Sequence, residues 1–429
     1  MADRKRIYLC LAHMSEAGLE QKYIKEAFDT NWVVPLGPNV NGFEKDLEDF
    51  VNEIPHQVRN EAPLTKRVVA LSSGTAAVHL ALINCGVKAG DEVCVQSFTF
   101  CASSHPTTYL GATPVFIDSE RDTWNMDPEL LEEAIKDRIA KTGRKPKAIV
   151  PVALYGMPYN VDRIMEIANH YDIPVIEDAA EGFGSRWKGQ VLGTFGKYGV
   201  LSFNGNKMIT TSGGGALVTA NEEEWREIMM YATQYRESYP YYQHEKIGFN
   251  YRMSNICAGI GRGQMTVVDD HIAHHKMVQK MYEELLADVK GIKVHAQPTT
   301  GEYDSNYWLC TITLDENVKI KGQENAYKTI VQGAVGGAAG VIHVADSATT
   351  DCQPNDNVEA LRVFMDAAGI EARPVWKPMH KQPVYKNCPA YVNGVSEAIF
   401  KVGMCLPAGP YVSDEDVKYI VETIKSAII

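Results

Sequence analysis

The sequence predicts an α/β protein, with a large domain built on a mostly parallel sheet flanked by helices and a smaller α+β domain after it. Three observations carry this expectation. Short runs that are apolar throughout alternate with amphipathic stretches across the first half of the chain, as expected of strands covered on both faces. Past about residue 265 the alternation gives way to a long polar helix and short strands. The 429 residues also exceed the roughly 250–300 at which a single core stops growing. The expected division is 1–270 for the large domain with an N-terminal arm and 271–429 for the small one, which carries an insertion at about 316–357.

Each element follows from local pattern. RVVALSS (67–73) reads as a strand, and TAAVHLALINCG (75–86) as a helix closed by Gly86. EVCVQSF (92–98) is strand-like, the stretch from Ala102 is compatible with a helix, and TPVFID (113–118) is again a strand. DPELLEEAIKDRI places Pro128 near a helix start. AIVPVALYG (148–156) and IPVIEDAA (173–180) read as strands flanking a helix through DRIMEIANHY. In the small domain the expected elements are a helix over 268–289, a strand in NYWLCTITL (306–314), a helix over 357–368 and a final helix in SDEDVKYIVETIKSAI. In open sheets of this kind ligands collect beyond the C-terminal strand ends.

Composition excludes several classes. The formal charge is −12, from 42 basic and 54 acidic side chains, which argues against a nucleic-acid surface needing clustered Lys and Arg. The six apolar residues of the N-terminal stretch, Ile7 to Ala12, are too few for a signal or a membrane span. Nine cysteines form no C-x-x-C pair, so a reduced, cytoplasmic protein is expected. The P-loop, G-x-G-x-x-G and H-E-x-x-H patterns are absent. His271 and His275 share a helix face at i, i+4, yet no third ligand stands nearby, and a solvated polar face is the expectation.

Four features remain at loops or strand ends. SSGTAA (72–77) is a strand, a turn and a helix start, which makes an anion seat suited to phosphate. SFTFCASS (97–104) sets two aromatics after a strand, either of which could stack on a flat heteroaromatic ligand. VIEDAAEGFG (175–184) ends a strand in Glu177 and Asp178, which alternate in direction, so one of them faces the site. LSFNGNKMITTSGGG (201–215) offers the Ser202 hydroxyl and Lys207. A phosphate seat, an aromatic platform, a strand-end carboxylate and a lysine are together what a pyridoxal-phosphate enzyme needs.

The chain resembles the DegT/StrS-type nucleotide-sugar aminotransferases, fold-type I enzymes dependent on pyridoxal 5′-phosphate. The likeness runs from about Val34 to the C-terminus apart from the insertion. It is carried by PLGPNVNGFE (35–44), SSGTAAVHLAL (72–82), SFTFCAS (97–103), IEDAAEGFGS (176–185), LSFNGNKMITTSGGG, GFNYRMSNICAGIGRGQM (248–265), ARPVWKPMH (372–380) and GMCLPAG (403–409). The resemblance implies Lys207 as the lysine that binds the cofactor's aldehyde and then moves the proton during transfer. It implies Asp178 at the pyridine nitrogen, Phe100 on the ring, and Gly74, Thr75 and Ser202 at the phosphate. Glu181 would lie beside the ring's hydroxyl edge. Asn250 would reach the cofactor of a neighbouring subunit, making the unit a homodimer, and Arg252 and His380 would contact substrate.

One departure stands out. Many members carry Gly-Glu-Gly-Gly after the Thr pair, whereas this chain has Ser212-Gly213-Gly214-Gly215. The wording around Lys207 and in RPVWKPMH is most similar to the branch acting on UDP-4-keto-6-deoxy-N-acetylhexosamines, which implies 4-amino transfer, with glutamate as donor, for surface-glycan synthesis. Two alternatives are a sugar dehydratase or deoxygenase, a branch in which histidine replaces the lysine, and a non-catalytic regulatory homologue.

Overall fold

Residues apolar on both sides of the backbone make a sheet that is buried on both faces. The computed structural model describes residues 4–53, 65–326 and 352–429. Its strands are β1 (Arg67–Leu71), β2 (Glu92–Gln96), β3 (Thr113–Ile117), β4 (Ile149–Val150), β5 (Ile176–Asp178), β6 (Arg186–Trp187), β7 (Gln190–Val191), β8 (Tyr198–Ser202) and β9 (Gly215–Thr219). They are followed by β10 (Ile292–Val294), β11 (Tyr303–Asp304), β12 (Cys310–Leu314), β13 (Arg373–Pro374), β14 (Ala390–Tyr391) and β15 (Gly403–Leu406). Two blocks, β1-β9-β8-β5 and β14-β3-β2-β4, are joined by parallel bridges from Ile149 to Val175 and from Val152 to Asp178. The central sheet therefore runs β1-β9-β8-β5-β4-β2-β3-β14. Along β1, Val68 and Ala70 enter one core cluster while Val69 and Leu71 enter the other, as strand alternation requires.

The sheet is mostly parallel, with β9 antiparallel to both neighbours. Antiparallel neighbours need no crossover helix, so β8 passes to β9 through the short connection 203–214 that carries Lys207. The helix Gly74–Asn84 lies against one face with residues 76–82 all buried. The helices Pro128–Thr142 and Val161–Tyr171 contribute Leu131, Ile135, Ile164 and Ile167 to the core on the other face. The strand expected over 148–156 is shorter than its apolar run. Pro151 has no N–H to give a ladder, and after it Tyr155 (φ 54) and Gly156 (φ 95) turn the chain.

A further cluster, including Val278, Ile312, Leu361, Met404 and Ile424, forms around the antiparallel sheet β10-β12-β15-β13. The N-terminal segment joins it: Ile7 N donates to Gly369 O at 2.9 Å, and Glu371 N donates to Ile7 O at 2.8 Å. The greater part of the expected 316–357 insertion, residues 327–351, lies outside the described residues. Among the described residues no helix is long and apolar enough to cross a membrane, and no cluster of side chains suits a metal. Among the described residues none of the nine cysteines is in a disulfide.

One expectation is overturned. His271 and His275 lie on the buried face of the helix Val268–Leu286, together with Val268, Val278, Tyr282 and Leu286, because that face closes the core. His275 Nδ1 lies 3.1 Å from Tyr307 O, its Nε2 has no partner among the described residues, and burial pushes its pKa down to about 3. A folded-state pKa below the unfolded value of about 6.5 favours the neutral ring, so its contribution is intact above pH 6.5 and is lost as pH falls toward 3. Between pH 7 and pH 5 this histidine should cost about 2 kcal/mol of stability. Denaturant titrations at both pH values should show that loss, and His275→Gln should shrink it; an unchanged difference would refute the assignment.

Candidate active site

The C-terminal ends of β1, β2, β5 and β8 converge on a cavity of about 360 Å³. Ser73 caps the helix Gly74–Asn84, its side chain accepting from Ala76 N at 3.0 Å. The Gly74 and Thr75 amides belong to that helix's first turn, which has no intrahelical acceptor, and both residues line the cavity with Ser202. A Cβ on Gly74 would lie 3.1 Å from Ser202 Cβ, so the helix start and the strand end approach closely enough that a side chain there would crowd Ser202. Gly215 explains the glycine run: a Cβ there would fall 2.4 Å from Gly74 N and Ser73 C. The glycine lets β9 pass directly under the anion seat.

Strand alternation divides the two acids at the end of β5. Asp178 faces the cavity, where Ser103 Oγ donates to its Oδ2 at 2.6 Å and Ala180 N to its Oδ1 at 3.2 Å. Glu177 points the other way and accepts from Gly193 N, Phe195 N and Gly196 N, the last two at 2.6 Å. Of the two aromatics after β2, Phe98 is fully buried, while Phe100 is 49% exposed and lines the cavity. Its ring centroid lies 5.3 Å from that of Trp376.

Lys207 brings the charge. Its Nζ lies 3.4 Å from Glu181 Oε1 and 3.8 Å from the centre of the Trp308 ring. Glu181 also accepts from Tyr155 N at 2.8 Å. Burial pushes both Asp178 and Glu181 up from the usual carboxylate range, and Lys207 opposes this at each, more strongly at Glu181. Two carboxyl groups, one ammonium and a set of free amides thus share one partly enclosed space. Such a space can hold a polar ring, an anion and a mobile proton.

Three expected residues stand outside the cavity lining. Asn250 is exposed and bridges to Thr233. Arg252 is folded inward: its Nη1 pairs with Glu44 Oε1 and donates to Ala70 O at 3.0 Å, leaving its side chain 8% exposed. His380 is engaged on both ring nitrogens, Nδ1 at 2.6 Å from Ser97 Oγ and Nε2 at 3.1 Å from Glu397 Oε1. Arg252 and His380 thus each have partners inside the fold, and neither is among the residues lining the cavity. Sequence reasoning missed Ser103, Tyr155, Trp308 and Trp376. Ser103 and Trp376 sit inside quoted blocks, SFTFCAS and ARPVWKPMH, and the single tryptophan of NYWLC was the available signal for Trp308.

Ser212 adopts φ 69 and is exposed, with its N donating to Thr210 Oγ1 at 2.8 Å. The left-handed region costs a residue with a Cβ about 1–2 kcal/mol, which is why glycine suits the position. Ser212→Gly should stabilise the protein by about 0.5–1 kcal/mol after the added flexibility of the unfolded chain is subtracted. Thermal or denaturant unfolding measures this, and a destabilised variant would contradict it.

The model of the DegT/DnrJ/EryC1/StrS aminotransferase family matches residues 15–336 and 338–425. The chain is 40% identical over 424 residues, 98% of its length and 95% of the relative's, to the putative pyridoxal phosphate-dependent aminotransferase EpsN of Bacillus subtilis (strain 168). It is 32% identical to the GDP-perosamine synthase of Escherichia coli O157:H7, with 97% of this chain and 98% of that protein covered. The crystal structure of a DegT DnrJ EryC1 StrS aminotransferase from Brucella abortus superposes with a TM-score of 0.78 at 26% identity, covering 96% of this chain and 95% of that one. The chain belongs to the DegT/DnrJ/EryC1/StrS aminotransferase family and is a pyridoxal-phosphate-dependent sugar aminotransferase.

Proposed function

We propose that the chain transfers an amino group, with glutamate as donor, to C4 of a nucleotide-linked 4-keto-6-deoxy sugar, the acceptor being a UDP-linked 4-keto-6-deoxy-N-acetylhexosamine. The observation that carries the aminotransferase site is the meeting of Lys207, Glu181 and Asp178 in one cavity closed by a helix N-terminus. The choice of sugar rests on the wording of LSFNGNKMITTSGGG and RPVWKPMH.

The residues fit the cofactor on two counts. Asp178 is a buried carboxyl whose hydrogen bonds come from a hydroxyl and an amide, and a buried carboxylate gains most from a cationic partner, such as a protonated pyridine nitrogen. The close approach at Gly74 leaves amides and the Ser202 hydroxyl facing the cavity, as a phosphate requires. When bound, pyridoxal 5′-phosphate supplies an aldehyde that takes up an amine and a ring that withdraws electrons.

The rest is done by the protein's own groups. Gly74, Thr75 and Ser202 would hold the phosphate, Phe100 would cover the ring, and Asp178 would keep a proton at the ring nitrogen. Lys207 takes and returns the proton at the donor's α-carbon, and Glu181 holds the lysine in place. Arg252 and His380 contact the substrate, Arg252 from its place beside Glu44 and β1 and His380 from its place beside Ser97. Asn250, exposed and outside the cavity, serves a second copy of the chain. Sedimentation at the mass of two chains tests that assembly, and a stable monomer with full turnover would remove it.

The substrate is tested by a half-reaction. The enzyme carrying the amine-loaded cofactor is mixed in turn with UDP-, dTDP- and GDP-4-keto-6-deoxy sugars, and return of the aldehyde absorbance is followed. Fastest return with the UDP N-acetylhexosamine is expected. Return with the GDP sugar alone, the nucleotide in the name of the Escherichia coli relative, would overturn the choice.

A further inference from the structure

Residues 306–308, just before β12, hold both partners of the Lys207–Glu181 pair. Asn306 Nδ2 donates to Glu181 O at 3.0 Å and to Phe183 O at 2.9 Å. Asn306 Oδ1 accepts from Trp308 N at 2.8 Å, which ties the short segment to itself. Trp308 Nε1 donates to Asn206 O at 2.6 Å, one residue before the lysine, and the ring face takes the Lys207 ammonium 3.8 Å from its centre. Between them Tyr307 adopts φ 48, a strained conformation for a bulky side chain. Trp308 itself is 1% exposed. An ammonium held at this distance over a buried indole is attracted by the ring quadrupole, and the indole N–H prevents the lysine-bearing loop from drifting away. The groups facing Lys207 are Glu181, Asp178, the Cys10 thiol and Trp308; of these only Trp308 grips both the loop and the amine.

We propose that Trp308 is a positioning residue for the transfer reaction: its indole N–H anchors the loop at Asn206, and its ring face receives the Lys207 ammonium whenever that amine is not bonded to the cofactor. This rests on the assignment of Lys207 as the cofactor-binding lysine.

The test is capture of pyridoxal 5′-phosphate by full-length apoenzyme, followed by visible absorbance, with thermal unfolding recorded for each protein. Trp308→Phe keeps a ring face and loses the N–H anchor; capture should slow about three- to fivefold. Trp308→Leu loses both; capture should slow about tenfold or more. A folded Leu variant with the parent's rate overturns the proposal. So do Phe and Leu variants displaced equally, in proportion to lost thermal stability. If the Leu variant does not fold, the Phe variant decides: slowed capture supports the anchor, and the parent's rate refutes it. A parent apoenzyme that captures no cofactor would instead remove the function proposed above.

Discussion

Lys207→Ala is expected to abolish covalent retention of the cofactor and to lower turnover by about 10⁴-fold. The residue sits in the one connection that joins antiparallel neighbours of the central sheet, β8 and β9, so the change touches no strand. It removes the only ammonium within reach of Glu181 among the described residues, and a buried carboxyl without its cation takes up a proton rather than unfold the site. The variant should therefore keep its fold, and far-UV circular dichroism should match the parent. Activity within tenfold of the parent would show that another group does the work. Lys207→Arg should fail almost as completely, because guanidinium keeps the charge at every accessible pH but offers no neutral amine.

Asp178→Asn carries the second large effect. The carboxylate ends β5 and faces the cavity with Ser103 and Ala180 as its neighbours. Asparagine keeps the shape and can still accept from Ser103 Oγ, so packing survives and the negative charge is lost. Removing a fixed charge aimed at a reacting ring should lower kcat by about 10²–10³-fold, or about 3–4 kcal/mol. The KM for the donor should change far less, since Asp178 lies at the cofactor rather than at the donor. Glu177→Gln is the control. Glu177 caps the 193–196 turn on the opposite face, so its loss should show in thermal stability and leave kcat near the parent's. A kcat unaffected by Asp178→Asn would mean that the wrong member of the pair had been placed at the ring.

Much of this was legible in the chain because it is governed by local rules. The period of two in a strand separates Glu177 from Asp178 and left one of them for the site. Strand runs apolar on both faces pointed to a sheet buried between helices, and the glycines after Lys207 pointed to close backbone approach. The parts that were not legible depend on partners distant in sequence. Arg252, expected at the substrate, also pairs with Glu44, 208 residues away, a partner that no local pattern reveals. His271 and His275 looked solvated because a helix of that polarity gives no sign that its histidine face closes a core. Trp308 lies about a hundred residues from the lysine it covers, and no spacing rule connects them. The strand over 148–156 was overread because its apolar run continues past the proline that ends it. Ser212 takes a left-handed backbone angle that favours glycine, and nothing in the structure explains the serine there.

The central claim is that the lysine of the β8–β9 connection holds the cofactor. Borohydride reduction of the loaded enzyme, digestion and mass mapping test it directly. The cofactor's mass should appear on the peptide containing Lys207 and on no other. Its appearance on another lysine, such as Lys377 beside Trp376, would contradict the account.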